Sequence, residues 1–512
     1  LRPADLLAAL SVVTDLGHGQ PPDDAMRACL LAMRLAERMD LGADDRRTVY
    51  YTTLLRYIGC TAYAHEDALL FGGDEIAARA ALTTRDMANP RDVAAFFFTD
   101  LAAAASPGRR VRVVAGALPR AARAVNELAA SNCEVGAAMA RRLGLGSLVQ
   151  HALLQLYERW DGKGAPHKLR GEQLTLPVRV AHVATLALNV ARKSGLEAAV
   201  TVVRQRSGAA LDPQVAGIFA QYGPALLAET AVDDSWTAVV AAEPLPYRFI
   251  LDEEIDVVAG AFADMVDLKL PFTRGHSPGV ARLSETAAQL LGLSEAEAIL
   301  VRRAGLFHDL GRVGVPNGIW EKRGALTASE WEQVRLHPYQ TERILQRSPV
   351  LAPLARVAGM HHERQDGSGY HRQTPGAGIP MTARLLAAVD AYQAMTQERP
   401  YRPAFSSANA ASQLRAEAVR GRLDPDAAEA VIAAGEGRHA PVRRSRPAGL
   451  SPREVEVLGL LARGSSYKDL GRTLHVSPRT AAHHVQHIYD KIGVSTRAAA
   501  TMFAMEHDLV PQ

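Results

Sequence analysis

Between residues 276 and 390 the side chains His276, His308, Asp309, His337, His361, His362 and Asp390 form a set of five imidazoles and two carboxylates. These are ligand types for iron, manganese, nickel or zinc, and no thiolate stands among them. Two of the pairs are adjacent in sequence, His308-Asp309 and His361-His362. Neighbours on a helix point about 100° apart, so neither pair is expected to grip one ion from a single face. A carboxylate at Asp309 bridging two cations, with the histidines distributed between them, would satisfy both pairs. Two cations about 3.5 to 4 Å apart suit phosphodiester hydrolysis, because one activates a water while both stabilise charge on the phosphate.

The elements that must carry these residues read as helices. Ala, Leu, Arg and Glu dominate, apolar residues recur at three- and four-residue spacing, and alternating strand patterns are scarce, so the expected fold class is all-α. At 512 residues the chain exceeds one core, and 48% apolar with 22% charged residues is an ordinary globular balance. A formal charge of +3 singles out no partner. The stretch GEGRHAPVRRSRPAG, Gly435 to Gly449, breaks the helical pattern and reads as a linker. Cys29, Cys60 and Cys133 are odd in number and widely spaced, which argues against a disulfide framework or a cysteine zinc site and favours a reducing cytoplasm. No run of 18 apolar residues offers a membrane span, so no membrane partner is expected. A start at Leu1 rather than methionine reads as a trimmed or processed form.

The chain also resembles itself. Asp15-Leu16 echoes Asp267-Leu268, and Leu54-Leu55-Arg56-Tyr57-Ile58-Gly59 echoes Leu306-Phe307-His308-Asp309-Leu310-Gly311. Glu158-Arg159-Trp160-Asp161-Gly162-Lys163-Gly164 echoes Glu363-Arg364-Gln365-Asp366-Gly367-Ser368-Gly369, and Leu211-Asp212-Pro213 echoes Leu423-Asp424-Pro425. The offset falls from 252 to 205 residues, so the first copy carries 47 extra residues within about 61–131. Carried into the first copy, the ligand positions become Asp24, Arg56, Tyr57, Asn132, Leu156, Tyr157 and Thr185, and no metal site is expected there. A structural or dimerising domain is one reading, and a ligand sensor using the emptied pocket is the other. The inserted Ala95-Phe96-Phe97-Phe98 reads as a buried helix, with a lid or a subunit contact as alternatives.

HSPGVARL, FHDLGRVGVP, RLHPYQTERIL, HHERQDGSGYH and AAVDAYQAMTQERPYRP together resemble the HD-GYP subgroup of the HD phosphohydrolases, over about residues 250–435. The resemblance implies hydrolysis of cyclic di-GMP with two or three metals, commonly iron or manganese. It assigns His276, His308, Asp309, His337, His361, His362 and Asp390 as ligands, with Asp309 and Arg312 as catalytic groups. Arg312, Asp366, Gly369 and Tyr370 would meet the substrate. Arg312 replaces the family's phosphate-binding lysine, and a planar fork is not a point charge. The proline of the GYP loop is His371, Phe272 stands where three-metal members carry a glutamate, and Gln393 replaces an aspartate. A two-metal site, iron or manganese before nickel or zinc, is therefore expected.

From Leu450 onward four short amphipathic helices are expected. Ser477-Pro478 opens the third, whose Ala481, Val485, Ile488 and Ile492 form a buried stripe. Its other face carries Arg479, His483, Gln486 and His487, with Thr480 and Lys491 at the edges, as a helix suited to the major groove would. LSPREVEVL, ARGSSYKDLGRTLHVSPRT and IYDKIGVSTR resemble the LuxR-type helix-turn-helix. By that resemblance Lys468 and Lys491 touch phosphates, the third helix reads bases and the fourth supports dimerisation. Ala482 and Gln486 stand where many relatives have lysines, and a charge of only +1 (seven basic, six acidic residues) over 450–512 limits nonspecific affinity. The linker arginines Arg438, Arg443, Arg444 and Arg446 would add phosphate contacts or simply a basic tether.

The expected organisation is a degenerate first copy over 1–250, a metal-dependent phosphohydrolase over 251–435, a linker over 436–449 and a DNA-binding domain over 450–512. The expected function is a cytoplasmic, homodimeric transcription regulator that hydrolyses a cyclic dinucleotide or related phosphoester and binds promoter DNA. A sensor that binds metal and nucleotide without turnover is the alternative, and another phosphorylated metabolite is a third.

Overall fold

The computed structural model describes residues 2–103, 105–437, 447–507 and 509. It is about 68% helical, and among the described residues there is no strand, only isolated bridges. The chain divides into two compact units, Leu1–Glu254 with Pro316–Gly318, and Ile255–Val315 with Ile319–Gln512.

In the second unit the helix His276–Leu290 packs against Glu295–Phe307, Met381–Met395 and Pro425–Gly435. Short-range sequence signals set the boundaries. Ser294 and Glu297 close a capping box that starts one helix, and Asp424 caps another by accepting from the amides of Asp426 and Ala427. Val280, Val301, Leu386, Val389 and Val431 are buried between these helices, with Phe262 and Phe307 edge to face at 5.5 Å.

The first unit repeats this frame with Asp24–Arg38, Ala43–Leu54, Leu176–Ser194 and Pro213–Glu229. Its hydrogen bonds repeat with it. The Asp15 carboxylate accepts from the amide of Ala25 as Asp267 does from Ser277. Glu158 accepts from the amides of His167 and Leu169, and Glu363 from those of Arg372 and Thr374. Arg179 reaches Asp212 as Arg384 reaches Asp424. Two glycines are fixed by close approach. A Cβ at Gly311 would lie 2.1 Å from the His337 carbonyl oxygen, and one at Gly59 would lie 2.0 Å from that of Asn132. The internal repeat is thus physical, down to which backbone must touch which.

The inserted segment forms the helices Ala64–Phe71, Glu75–Leu82, Pro90–Ala95 and Pro107–Ala117. Phe96 and Phe97 are buried with Phe71, Leu101 and Ala117 in a small local core, in a π-turn rather than an α-helix, while Phe98 is exposed. The C-terminal segment has its own core, centred on Val457, Leu461, Leu470, Val485 and Ile488. The linker arginines Arg438, Arg443, Arg444 and Arg446 lie outside the described residues.

Candidate metal centre and DNA-binding face

All seven expected ligands converge. His276 and His337 are the first residues of the helices His276–Leu290 and His337–Gln346, and Asp390 projects from Met381–Met395. The adjacent pairs do not sit on helices, contrary to expectation. His308-Asp309 and His361-His362 occupy the turns just past Phe307 and Gly359, where the 100° step no longer applies. Neighbours can therefore face the same point, and ligand atoms of His337, His361 and His362 all lie within 4.8 Å of one another.

Asp309 divides the cluster. One of its oxygens lies 3.2 Å from His308 Nε2 and 3.8 Å from His276 Nε2, on the side of Asp390, whose Oδ1 is 3.1 Å from His276 Nε2. The other lies 3.5 Å from His337 Nε2 and 3.8 Å from His361 Nε2. Backbone carbonyls set the tautomers. His308 Nδ1 donates to Gly305 O at 2.8 Å, His337 Nδ1 to Val334 O at 2.6 Å and His361 Nδ1 to Ala358 O at 2.6 Å, leaving each Nε2 aimed inward. Gln397 does the same for His276, with its Oε1 2.9 Å from Nδ1.

This arrangement fits cations. His308 Nε2, both Asp309 carboxylate oxygens and His362 Nδ1 are buried without a hydrogen-bond partner. His337 Nε2 and His361 Nε2 face each other at 3.2 Å although each ring already donates through Nδ1. Buried lone pairs pointed at one another are costly unless something positive lies between them. Burial lowers His337 to about 4 and pushes His361 and His362 down as well, keeping their lone pairs free at neutral pH. Burial alone would raise Asp309, but the Arg312 guanidinium and His308 hold it well below the ordinary carboxylate range. His308 goes the other way: burial lowers it, Asp309 and Asp390 outweigh that, and it rises to about 10. A divalent ion at that station would displace the His308 proton. In the first copy, among the described residues, no comparable group of metal-type ligands occurs.

Arg312 is buried, 2.8 Å from Asp309 Oδ2 and over the Trp320 ring. Tyr370 lies against His362 with ring centroids 4.3 Å apart. A Cβ at Gly369 would lie 2.6 Å from Glu363 Cα, which explains the glycine. Asp366 is exposed, and its carboxylate accepts from the amide and hydroxyl of Ser368, which makes it a turn cap. Sequence reasoning did not single out Gln397, Arg399 or Trp320. Arg399 is a second guanidinium at the site, half-buried. Burial, then the charge of Arg312, lowers it to about 10. It lies over the Phe272 ring, so a cation already faces the position where a third metal's acid would stand.

In the C-terminal segment the helices are Pro452–Ala462, Tyr467–Leu474, Pro478–Ile492 and Arg497–Glu506. A Cβ at Gly471 would lie 2.7 Å from Val476 O, which holds the turn between the second and third tight. Ser477 caps the third helix by accepting from the amide of Thr480 at 3.0 Å. Ala481, Val485 and Ile488 are buried with Tyr489, and Ile492 is partly covered. Lys468, Arg479, Thr480, His483, Gln486, His487 and Lys491 are exposed. Four of them are already engaged: His487 and Lys491 each reach Glu454 at 2.8 Å, Gln486 donates to Asp490 at 2.9 Å, and the Thr480 hydroxyl pairs with that of Ser477 at 2.8 Å.

A buried cluster of histidines around a shared aspartate, on a helical frame, defines an HD-type metallohydrolase, and the C-terminal segment defines a helix-turn-helix reader. Residues 260–427 match the HD domain family, and residues 448–504 match the luxR family of bacterial regulatory proteins. The chain is 30% identical over 426 residues to the 3'3'-cGAMP-specific phosphodiesterase 3 of Vibrio cholerae, covering 83% of this chain and 92% of that protein. It is 36% identical over 164 residues to the cyclic di-GMP phosphodiesterase response regulator RpfG of Xanthomonas campestris, covering 31% and 43%. A crystal structure of a cyclic GMP-AMP-specific phosphodiesterase of V. cholerae superposes with a TM-score of 0.60 at 26% identity, over 85% of this chain and 98% of that one. The chain belongs to the HD-domain phosphodiesterase family and joins that metal-dependent hydrolase to a LuxR-type DNA-binding domain. No described helix is long and apolar enough to cross a membrane.

Proposed function

We propose that residues 251–435 hydrolyse a cyclic dinucleotide and that residues 450–512 give the chain its DNA-binding output, after a non-catalytic copy over 1–250 and a linker over 436–449. The observation that carries the proposal is the split of Asp309, one oxygen toward His276, His308 and Asp390, the other toward His337 and His361. His276, His308, Asp390 and one Asp309 oxygen would hold one ion, and His337, His361, His362 and the other oxygen a second. Two such ions, iron or manganese by donor type, would supply Lewis acidity and an activated water. The chain's own residues do the rest. The backbone carbonyls and Gln397 hold the imidazoles in their ligating tautomers, Arg312 and Arg399 bring fixed positive charge for a phosphodiester, and Tyr370 offers an aromatic face beside His362. Related proteins that act on 3'3'-cGAMP and cyclic di-GMP support that substrate class.

Lys468, Arg479, Thr480, His483, Gln486, His487 and Lys491 form the proposed DNA-facing set, and a homodimer in the cytoplasm completes the reading. One observation favours a low-turnover, sensing role: the Arg312 guanidinium forms an ion pair with Asp309, 2.8 Å from its Oδ2, without the alignment of a hydrogen bond. Anaerobically purified protein loaded with manganese or iron, incubated with cyclic di-GMP and 3'3'-cGAMP and followed by chromatography, decides between the two. Hydrolysis abolished in His308→Ala and Asp309→Ala establishes the enzyme. Tight binding without hydrolysis establishes the sensor.

A further inference from the structure

Six of the seven positions that would hold metal in the first copy, Arg56, Tyr57, Asn132, Leu156, Tyr157 and Thr185, line a cavity of about 340 Å³. What has changed is the source of positive charge. Asp24 and Arg56 stand at the repeat equivalents of His276 and His308 and are joined by a buried ion pair, so a guanidinium replaces a ligand. Five arginines line the cavity (Arg56, Arg79, Arg85, Arg159 and Arg206), against a single acid, Glu158. The Glu158 carboxylate is committed to the amides of His167 and Leu169. The aspartates that fix the first four arginines, Asp24, Asp67, Asp100, Asp86 and Asp161, are not among the lining residues.

Several donors and acceptors there lack partners. Arg56 Nε, His18 Nδ1 and Asn132 Oδ1 are buried without a hydrogen bond. Arg206 has a largely buried side chain, yet it donates only to Thr84 O at 2.7 Å and stands 3.9 Å from Asp92. Buried polar atoms left open at a cavity wall mark a place where a ligand completes the network. Guanidinium forks match phosphate oxygens in pairs, and the volume lies near the lower end of the roughly 300 to 1,000 Å³ of small-molecule sites. We infer that the first copy is a metal-independent binding site for a phosphate ester of about nucleotide size, with Arg56 and Arg206 as its direct anion contacts. The inference rests on the first unit alone and stands or falls separately from hydrolysis in the second copy.

The test is equilibrium dialysis of the full chain in excess EDTA against four probes: cyclic di-GMP, the linear dinucleotide left by opening one of its diesters, GMP and inorganic phosphate. The expected result is saturable, one-per-chain binding of at least one ester. That binding should persist in His308→Ala and weaken at least about tenfold in Arg206→Glu. Thr185→Trp, which fills the cavity without touching its charge, should have the same effect, and circular dichroism melts of both variants verify the fold. Three results overturn the inference: no ester bound at about millimolar concentration; binding lost in His308→Ala but retained in Arg206→Glu, which would place it in the second copy; or binding indifferent to all three substitutions.

Discussion

Gln397→Leu is a narrow probe of the metal centre. The Gln397 carbonyl oxygen accepts from His276 Nδ1 at 2.9 Å, fixing the ring so that Nε2 faces Asp390 and Asp309. Leucine keeps the bulk and removes the acceptor. The His276 N–H is then buried without a partner, at a cost of about 1 to 3 kcal/mol, unless the ring turns and withdraws Nε2. Either way the ion held with His308 and Asp390 weakens, by about ten- to a hundredfold, the usual consequence of losing such an orienting partner. In the other group His337 and His361 take their orientation from the carbonyls of Val334 and Ala358, so that group, coupled to the first through the shared Asp309, is expected to lose less affinity. Competition against a chelator of known affinity resolves the two dissociation constants. Equal weakening of both, or of neither, would show that the cluster is not divided at Asp309 as described.

Three further outcomes are expected. Gly311→Ala drives a methyl to 2.1 Å from the His337 carbonyl and should destabilise the fold by about 3 kcal/mol while lowering metal affinity, whereas Gly59→Ala, 2.0 Å from Asn132 O, should cost similar stability and leave metal binding intact; thermal melts with metal titration separate them. In the DNA-binding segment the Glu454 carboxyl is held down to about 2 by Lys491, the Ser451 amide and His487. Because the folded value lies below the ordinary 4.5, this stabilisation is complete above about 4.5 and lost as the pH falls toward 2; melting across that window should show the decline, and Glu454→Gln should flatten it. Arg479→Ala and Lys468→Ala, at exposed positions free of any engagement with Glu454, should each lower the slope of log affinity for promoter DNA against log salt by about 1, while an unchanged slope would remove that residue from the phosphate-contacting set.

Much of the candidate centre was legible in the sequence because six of its seven side chains are rare types or acids set in turns and at helix starts, where composition and local motif coincide, and the seventh, Asp390, lies within a helix. The repeat was legible for a similar reason: Gly59 and Gly311, or Glu158 and Glu363, hold backbone contacts that tolerate little else. What stayed hidden was pairing over distance. Gln397 meets His276 across 121 residues, and Glu454 captures His487 and Lys491 across 33 and 37, which no local pattern encodes. The expectation for adjacent ligands went astray on backbone geometry, since an angular step derived for helices was applied to residues lying just past helix ends.

The division of the cluster into two stations bridged by Asp309 is tested most directly by counting ions. Metal-free protein is titrated anaerobically with manganese or iron, bound metal per chain is measured after gel filtration, and hydrolysis of cyclic dinucleotide is followed on the same samples. Two ions per chain, with hydrolysis appearing as the second binds, and loss of both the second ion and hydrolysis in Asp309→Ala, is the predicted result. Full hydrolysis with one ion per chain, or an Asp309→Ala variant that keeps two ions and its rate, would contradict it.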